Sequence, residues 1–181
     1  VLSPPPEPIM VAALDASGTP ASDAAVVSFL ASVDVIDNVD STVTVANNAP
    51  TTLVLGTNLI TFTATDTSDN EAVAVTSTVT VTDQTAPVIT VPATLTVLGT
   101  SEGVSGSLAA ITALIASASA TDNVDGTITA ISNDAPAIFP FGTTQLTFTA
   151  TDAAGNSGTA VAAVVVSLDV VVPELTVPGS I

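Results

Sequence analysis

Aspartate is the residue in this sequence with chemistry to offer, and it recurs at matched positions. Asp37, Asp40, Asp66 and Asp83 in the first half stand against Asp122, Asp125, Asp152 and Asp169 in the second. Each set holds a DNVD pair, an Asp that closes a TFTATD run, and an Asp that follows a Val-rich run. Carboxylates grouped in this way can exchange protons, attack a substrate or hold a hard cation. Ca2+ takes about six to eight oxygens from carboxylates, amides and carbonyls, and all eight of these aspartates are candidate Ca2+ ligands. They also have a plainer use, because Asp closes turns by accepting hydrogen bonds from its own backbone. On sequence alone both readings stay open.

Catalytic chemistry finds little support. Asp66-Thr67-Ser68 matches the triplet that carries the aspartic-protease carboxylate, but its counterpart is Asp152-Ala153-Ala154, so no second triplet exists to complete a pair. A glycosidase would need two carboxylates flanking a sugar, and the chain has no Trp or Tyr to form a sugar platform. Without His there is no nucleophilic triad, and without Lys no phosphate loop. The chain is read as no enzyme.

Charge narrows the partners. There are 17 acidic residues and no Lys, Arg or His, for a net charge of −17. Such a surface cannot release counterions from nucleic-acid phosphates, so nucleic acid is excluded as a partner. Apart from its N-terminal amine, the chain cannot make an internal salt bridge. Relief of acid–acid repulsion must come from solvent, salt or a bound cation. Cysteine is absent, so no disulfide marks a redox compartment. The first ten residues, VLSPPPEPIM, lack the basic and apolar regions of a signal peptide. The longest apolar run, 160–166, is too short to span a bilayer, and no transmembrane segment is expected.

The elements that position the aspartates follow from alternation and repetition. Hydrophobic residues make up 47% of the chain and aromatics 3%, so the core must be built from Val, Ala, Leu, Ile and Thr, and the β-branched ones favour strands. TFTATDTSDN at 61–70 returns as TFTATDAAGN at 147–156, 86 residues on, and NNAP at 47–50 returns as NDAP at 133–136. Ile60, Phe62 and Ala64 fall on one strand face, and Val73, Val75, Val79 and Val81 on another. Segment 24–36 and its counterpart 107–120 read as strands by this alignment, although Leu108–Ala120 is rich in the helix formers Ala and Leu. Pro8 opens the first copy and Pro87 the second, with a longer first loop in the second. PELTVPGSI at 173–181 starts the same pattern a third time. The expectation is all-β: two tandem Ig-like β-sandwich domains of Greek-key type with about seven strands each. Residues 1–7 form a Pro-rich tail, 8–86 the first domain, 87–172 the second, and 173–181 a surplus strand.

DNVDG followed by FPFGTTQLTFTATDAAGNSGTA and a Val-rich strand resembles the hyalin-repeat (HYR) family and related bacterial Ig-like surface repeats. The likeness spans roughly 8–172. It is looser in the first copy, where Ser41 and Asp69 stand in for glycines. The resemblance implies an Ig-like fold in a secreted or cell-surface protein that serves adhesion, spacing or matrix building. The expected function is an extracellular structural subunit of a surface filament, pilus-like fibre or surface layer. Its partners would be copies of itself, assembled head to tail by donation of strand 173–181, with a host or matrix surface as a further partner. The alternatives are spacer repeats of a larger adhesin or secreted enzyme, and a calcium-dependent binding module.

Overall fold

The computed structural model describes residues 6–168 and 170. Among the described residues fifteen strands and two helices follow one another: β1 (Ile9–Ala12), β2 (Thr19–Pro20), α1 (Ala24–Leu30), β3 (Thr44–Asn47), β4 (Thr52–Leu53), β5 (Gly56–Thr65), β6 (Val75–Thr82), β7 (Val88–Thr90), β8 (Leu95–Gly99), β9 (Val104–Ser105), α2 (Ala109–Ala116), β10 (Ser119–Asp122), β11 (Gly126–Ile128), β12 (Ile131–Asn133), β13 (Ile138–Phe139), β14 (Gly142–Thr151) and β15 (Ser157–Leu168). The fold is all-β and of sandwich type. The chain forms two compact units. The first comprises Val1–Pro87 with the segments Thr121–Thr127 and Asp152–Asn156; the second comprises Val88–Ala120, Ile128–Thr151 and Ser157–Ile181.

Each unit is built on a four-stranded sheet, ordered β1-β6-β5-β3 in the first and β8-β15-β14-β12 in the second. The central hairpin is antiparallel, and the opening strand runs parallel to the last one. A two-stranded ladder, β2-β4 or β9-β13, completes the repeated pattern. Period-two alternation puts Ile60, Phe62 and Ala64 inward, and Leu146, Phe148 and Ala150 likewise, while the intervening threonines face out. Against these pack Val26 and Phe29 in one unit and Ile111 and Leu114 in the other. The Phe29 and Phe62 rings meet edge to face with centroids 5.9 Å apart.

Three sequence expectations are corrected. Segments 24–36 and 107–120 each contain a helix, not only strand. Their buried residues are spaced by three (Val26 and Phe29, Ile111 and Leu114), which is one face of a helical turn. Asp23 caps α1 by accepting from the amides of Ala25 at 2.9 Å and Val26 at 3.4 Å.

The opening strands are also matched differently. β1 corresponds to β8, since each lies parallel to the last strand of its sheet with Val11 opposite Val81 and Val97 opposite Val166. The strand directly after Pro87 is β7, which belongs to an additional sheet ordered β11-β10-β7. Among the described residues the first copy has no counterpart of that sheet.

Val73, finally, does not share the inward face with Val79 and Val81. The β5–β6 register runs evenly to Phe62 opposite Val75, yet Thr65 then bridges Glu71 rather than Ala72. The extra residue makes a bulge, which turns Val73 outward to 88% exposure.

Candidate metal centre

The aspartates close turns in the same way in both copies. Asp66 Oδ1 accepts from the amides of Ser68 and Asn70, each at 2.8 Å, and its Oδ2 from Asn70 Nδ2 at 2.7 Å. Asp152 Oδ1 accepts from Asn156 N at 2.7 Å and its Oδ2 from Asn156 Nδ2 at 2.8 Å. Asp37 Oδ1 takes the amides of Val39 and Asp40, and Asp122 Oδ1 those of Val124 and Asp125. The turn that begins at Asp66 needs a residue at positive φ. Asp69 supplies it at φ 63°, where the second copy has Gly155 at 93°.

These bonds set the acidities. The Asn70 side chain and amide hold the Asp66 carboxyl below its ordinary value of 3.8. Burial pushes Asp152 upward, but the Asn156 side chain and the amides of 154–156 outweigh it, and the net direction is down. The amides of Asp40 and Val39 lower Asp37. These aspartates stay ionised at neutral pH and have no proton to give.

Turn closure leaves oxygens over. Asp83, Asp122 and Asp152 each offer one carboxylate oxygen, and the three atoms lie within 4.8 Å of one another. All three residues belong to the first compact unit. Asp152 is buried, and Asp83 and Asp122 are half-buried. Asp83 Oδ1 accepts from Thr85 N at 3.0 Å, but Asp83 Oδ2 and Asp122 Oδ2 are buried with no hydrogen-bond donor. A buried carboxylate oxygen without a donor is costly, and three carboxylates this close repel one another. Three hard oxygens around one point suit Ca2+, with carbonyls and waters to complete the shell.

The eight sequence candidates therefore divide. Asp83, Asp122 and Asp152 converge. Asp125 stands beside them, with Oδ2 occupied by Ala153 N at 2.7 Å. Asp37, Asp40 and Asp66 do not form a three-acid cluster among the described residues. Thr67 Oγ1 donates to Asp40, while Asp37 and Asp66 line an open cavity of about 370 Å³ with Val35, Val43 and Val73. Asp169 lies outside the described residues. Sequence reasoning missed Asn156, which clamps Asp152 and donates to the Asp83 carbonyl at 3.4 Å. Its signal was present as Asn four residues after Asp in both copies (66 and 70, 152 and 156).

No family model matches the chain, and no curated protein matches it. Among solved structures it is similar to a cis-dimer structure of protocadherin gammaB7 EC3-6, at 13% sequence identity and a TM-score of 0.35. That similarity covers 93% of this chain and 47% of the other, so this chain spans about half the length of the structure it matches. Among the described residues no helix is long and apolar enough to cross a membrane.

Proposed function

We propose that this chain is a non-catalytic, Ca2+-binding structural protein of an extracellular fibre or surface layer, assembled from copies of itself. The observation that carries this reading is the Asp83–Asp122–Asp152 cluster, with two buried oxygens lacking a donor in a chain with no cationic side chain. A divalent ion supplies the positive charge the sequence omits. The cluster draws together stretches of chain far apart in sequence, so an ion there stabilises the fold by binding the native state and not the unfolded one. The resemblance to HYR and bacterial Ig-like surface repeats agrees with this setting.

Calcium titration of the chelator-treated protein tests the reading. Ca2+ is expected to raise the thermal midpoint. At about 100 times Kd the gain is about 2.7 kcal/mol. An unchanged midpoint sinks the calcium centre.

Head-to-tail assembly rests on a second observation. β7 follows Asp83 and Pro87 and joins β10 at the edge of a sheet. The same spacing returns at Asp169 and Pro173, with PELTVP at 173–178 against PVITVP at 87–92. A segment of this pattern can add a strand to the sheet of a neighbour, and a contact between different surfaces that does not close yields a fibre. Electron microscopy of the full chain and of a chain lacking 173–181 checks this: fibres are expected only from the former. Equal polymerisation by both would remove strand donation from the account.

A further inference from the structure

Two carboxylates of the Asp83–Asp122–Asp152 cluster are each held by one oxygen. Asp83 Oδ1 accepts from Thr85 N, and Asp122 Oδ1 from the amides of Val124 and Asp125. Both keep Oδ2 buried without a donor. Asp152 is held differently, because both of its oxygens accept from one residue. Its Oδ1 takes the Asn156 amide at 2.7 Å and its Oδ2 takes Asn156 Nδ2 at 2.8 Å. The same Nδ2 donates to the Asp83 carbonyl at 3.4 Å. Backbone bonds from Asp152 N to Asn156 O at 3.0 Å and from Gly155 N to Asp152 O at 3.3 Å close the loop and fix where the Asn156 side chain starts.

We propose that Asn156 is a positioning residue for the divalent ion, setting Asp83 and Asp152 at the separation the ion requires, a role that rests on the calcium reading above. An Asn side chain suits the task. Its NH2 carries two hydrogens in one plane, so a single group can bind two acceptors at a fixed angle. Here it joins the main chain at Asp83 to the carboxylate of Asp152. A carboxylate oxygen has two lone pairs, so one that accepts from Asn156 can still face an ion. The amide is also neutral. A Lys or Arg could satisfy the same acceptors, but its charge would replace that of the ion, and the chain has neither. Without a tie the carboxylates would separate, since like charges this close repel. Groups that hydrogen-bond a metal's ligands set its affinity along with the ligands themselves.

The first copy supplies the comparison. Asn70 holds Asp66 by the same two bonds, amide to Oδ1 at 2.8 Å and Nδ2 to Oδ2 at 2.7 Å. Asp66 belongs to no three-acid cluster among the described residues. The two asparagines share a turn, and Asn156 also ties that turn to a second acid of its cluster.

Calorimetric titration of the full chain with Ca2+, with thermal midpoints taken in chelator, tests the role. Wild type should bind Ca2+ and Asp122→Asn should not, which assigns the heat to the cluster. Asn156→Ala should weaken Kd by about 10- to 100-fold. Asn70→Ala should keep the wild-type Kd, although it removes the same side-chain bond to its aspartate and lowers the midpoint in chelator by a similar amount. That split separates positioning from stability, because a purely structural Asn156 would move the midpoint and leave Kd alone. Asn156→Ser keeps one donor on a turn-forming residue and should fall between Asn156→Ala and wild type. It carries the test if Asn156→Ala does not fold. Wild-type affinity in either Asn156 variant overturns the positioning role and leaves the calcium centre standing. So does an equal loss of affinity in Asn70→Ala. A wild type that binds no Ca2+, or an Asp122→Asn that binds as tightly as wild type, overturns the calcium centre and the role of Asn156 with it.

Discussion

At the residue scale, each aspartate divides its two oxygens between a turn and whatever else lies near. Asp122 gives Oδ1 to its turn and keeps Oδ2 buried without a donor. Asp122→Asn is expected to abolish the calcium-dependent rise in midpoint. The calcium-free midpoint should stay the same or rise, because one of three repelling charges is gone. Calorimetry with and without chelator reads both. Asp15 shows the simpler case, in which the Ser17 hydroxyl and then its amide hold the carboxyl below 3.8. Ser17→Ala should move its NMR titration midpoint up toward that value. Backbone demands are as local. Gly103 stands at φ 101°, and a Cβ there would meet the Phe139 carbonyl oxygen at 2.1 Å. Gly103→Ala should lower stability by more than the ~1–2 kcal/mol of a left-handed residue alone, as urea unfolding would measure.

At the scale of elements, the hairpins β5–β6 and β14–β15 were legible in advance. Strict alternation over ten residues admits one register that buries the Phe side chains. The helices were not. In α1 and α2 a helical face of only two buried residues lies within a continuous apolar run, which gives little periodicity to separate helix from strand. Asp23 caps α1, so Asp23→Ala is expected to cost about 1 kcal/mol by denaturant unfolding. The bulge that exposes Val73 was equally hidden, since an inserted residue leaves no mark in composition and shows only where Thr65 meets Glu71.

At the scale of the molecule, a net charge of −17 without one basic side chain sets the solution behaviour. Added monovalent salt should raise the calcium-free midpoint by screening repulsion among the acids. Acid works the other way on the turn aspartates. Asp66 and Asp152 are depressed in the folded state, so the stability they contribute is complete above 3.8 and is lost as pH falls through their lower folded values. Asn70→Ala removes the main cause of the Asp66 depression. It should reduce stability at neutral pH and flatten its loss between pH 4 and the acid limit, as circular dichroism at stepped pH would show.

The sequence by itself determined the all-β class, the repeat of about 86 residues, the exclusion of His, Lys and Cys chemistry, and the aspartates at strand ends. Each of these depends on residue type or on spacing along the chain, and both can be read in one dimension. Only the tertiary structure decided which aspartates meet. Asp83, Asp122 and Asp152 are far apart in sequence and come together because their turns fold to one place, while Asp37 and Asp66, with the same local bonds, form no three-acid cluster among the described residues. Turn chemistry is local and therefore repeats with the sequence. Convergence of carboxylates depends on which distant segments the fold brings to one place, and no local stretch of sequence contains that.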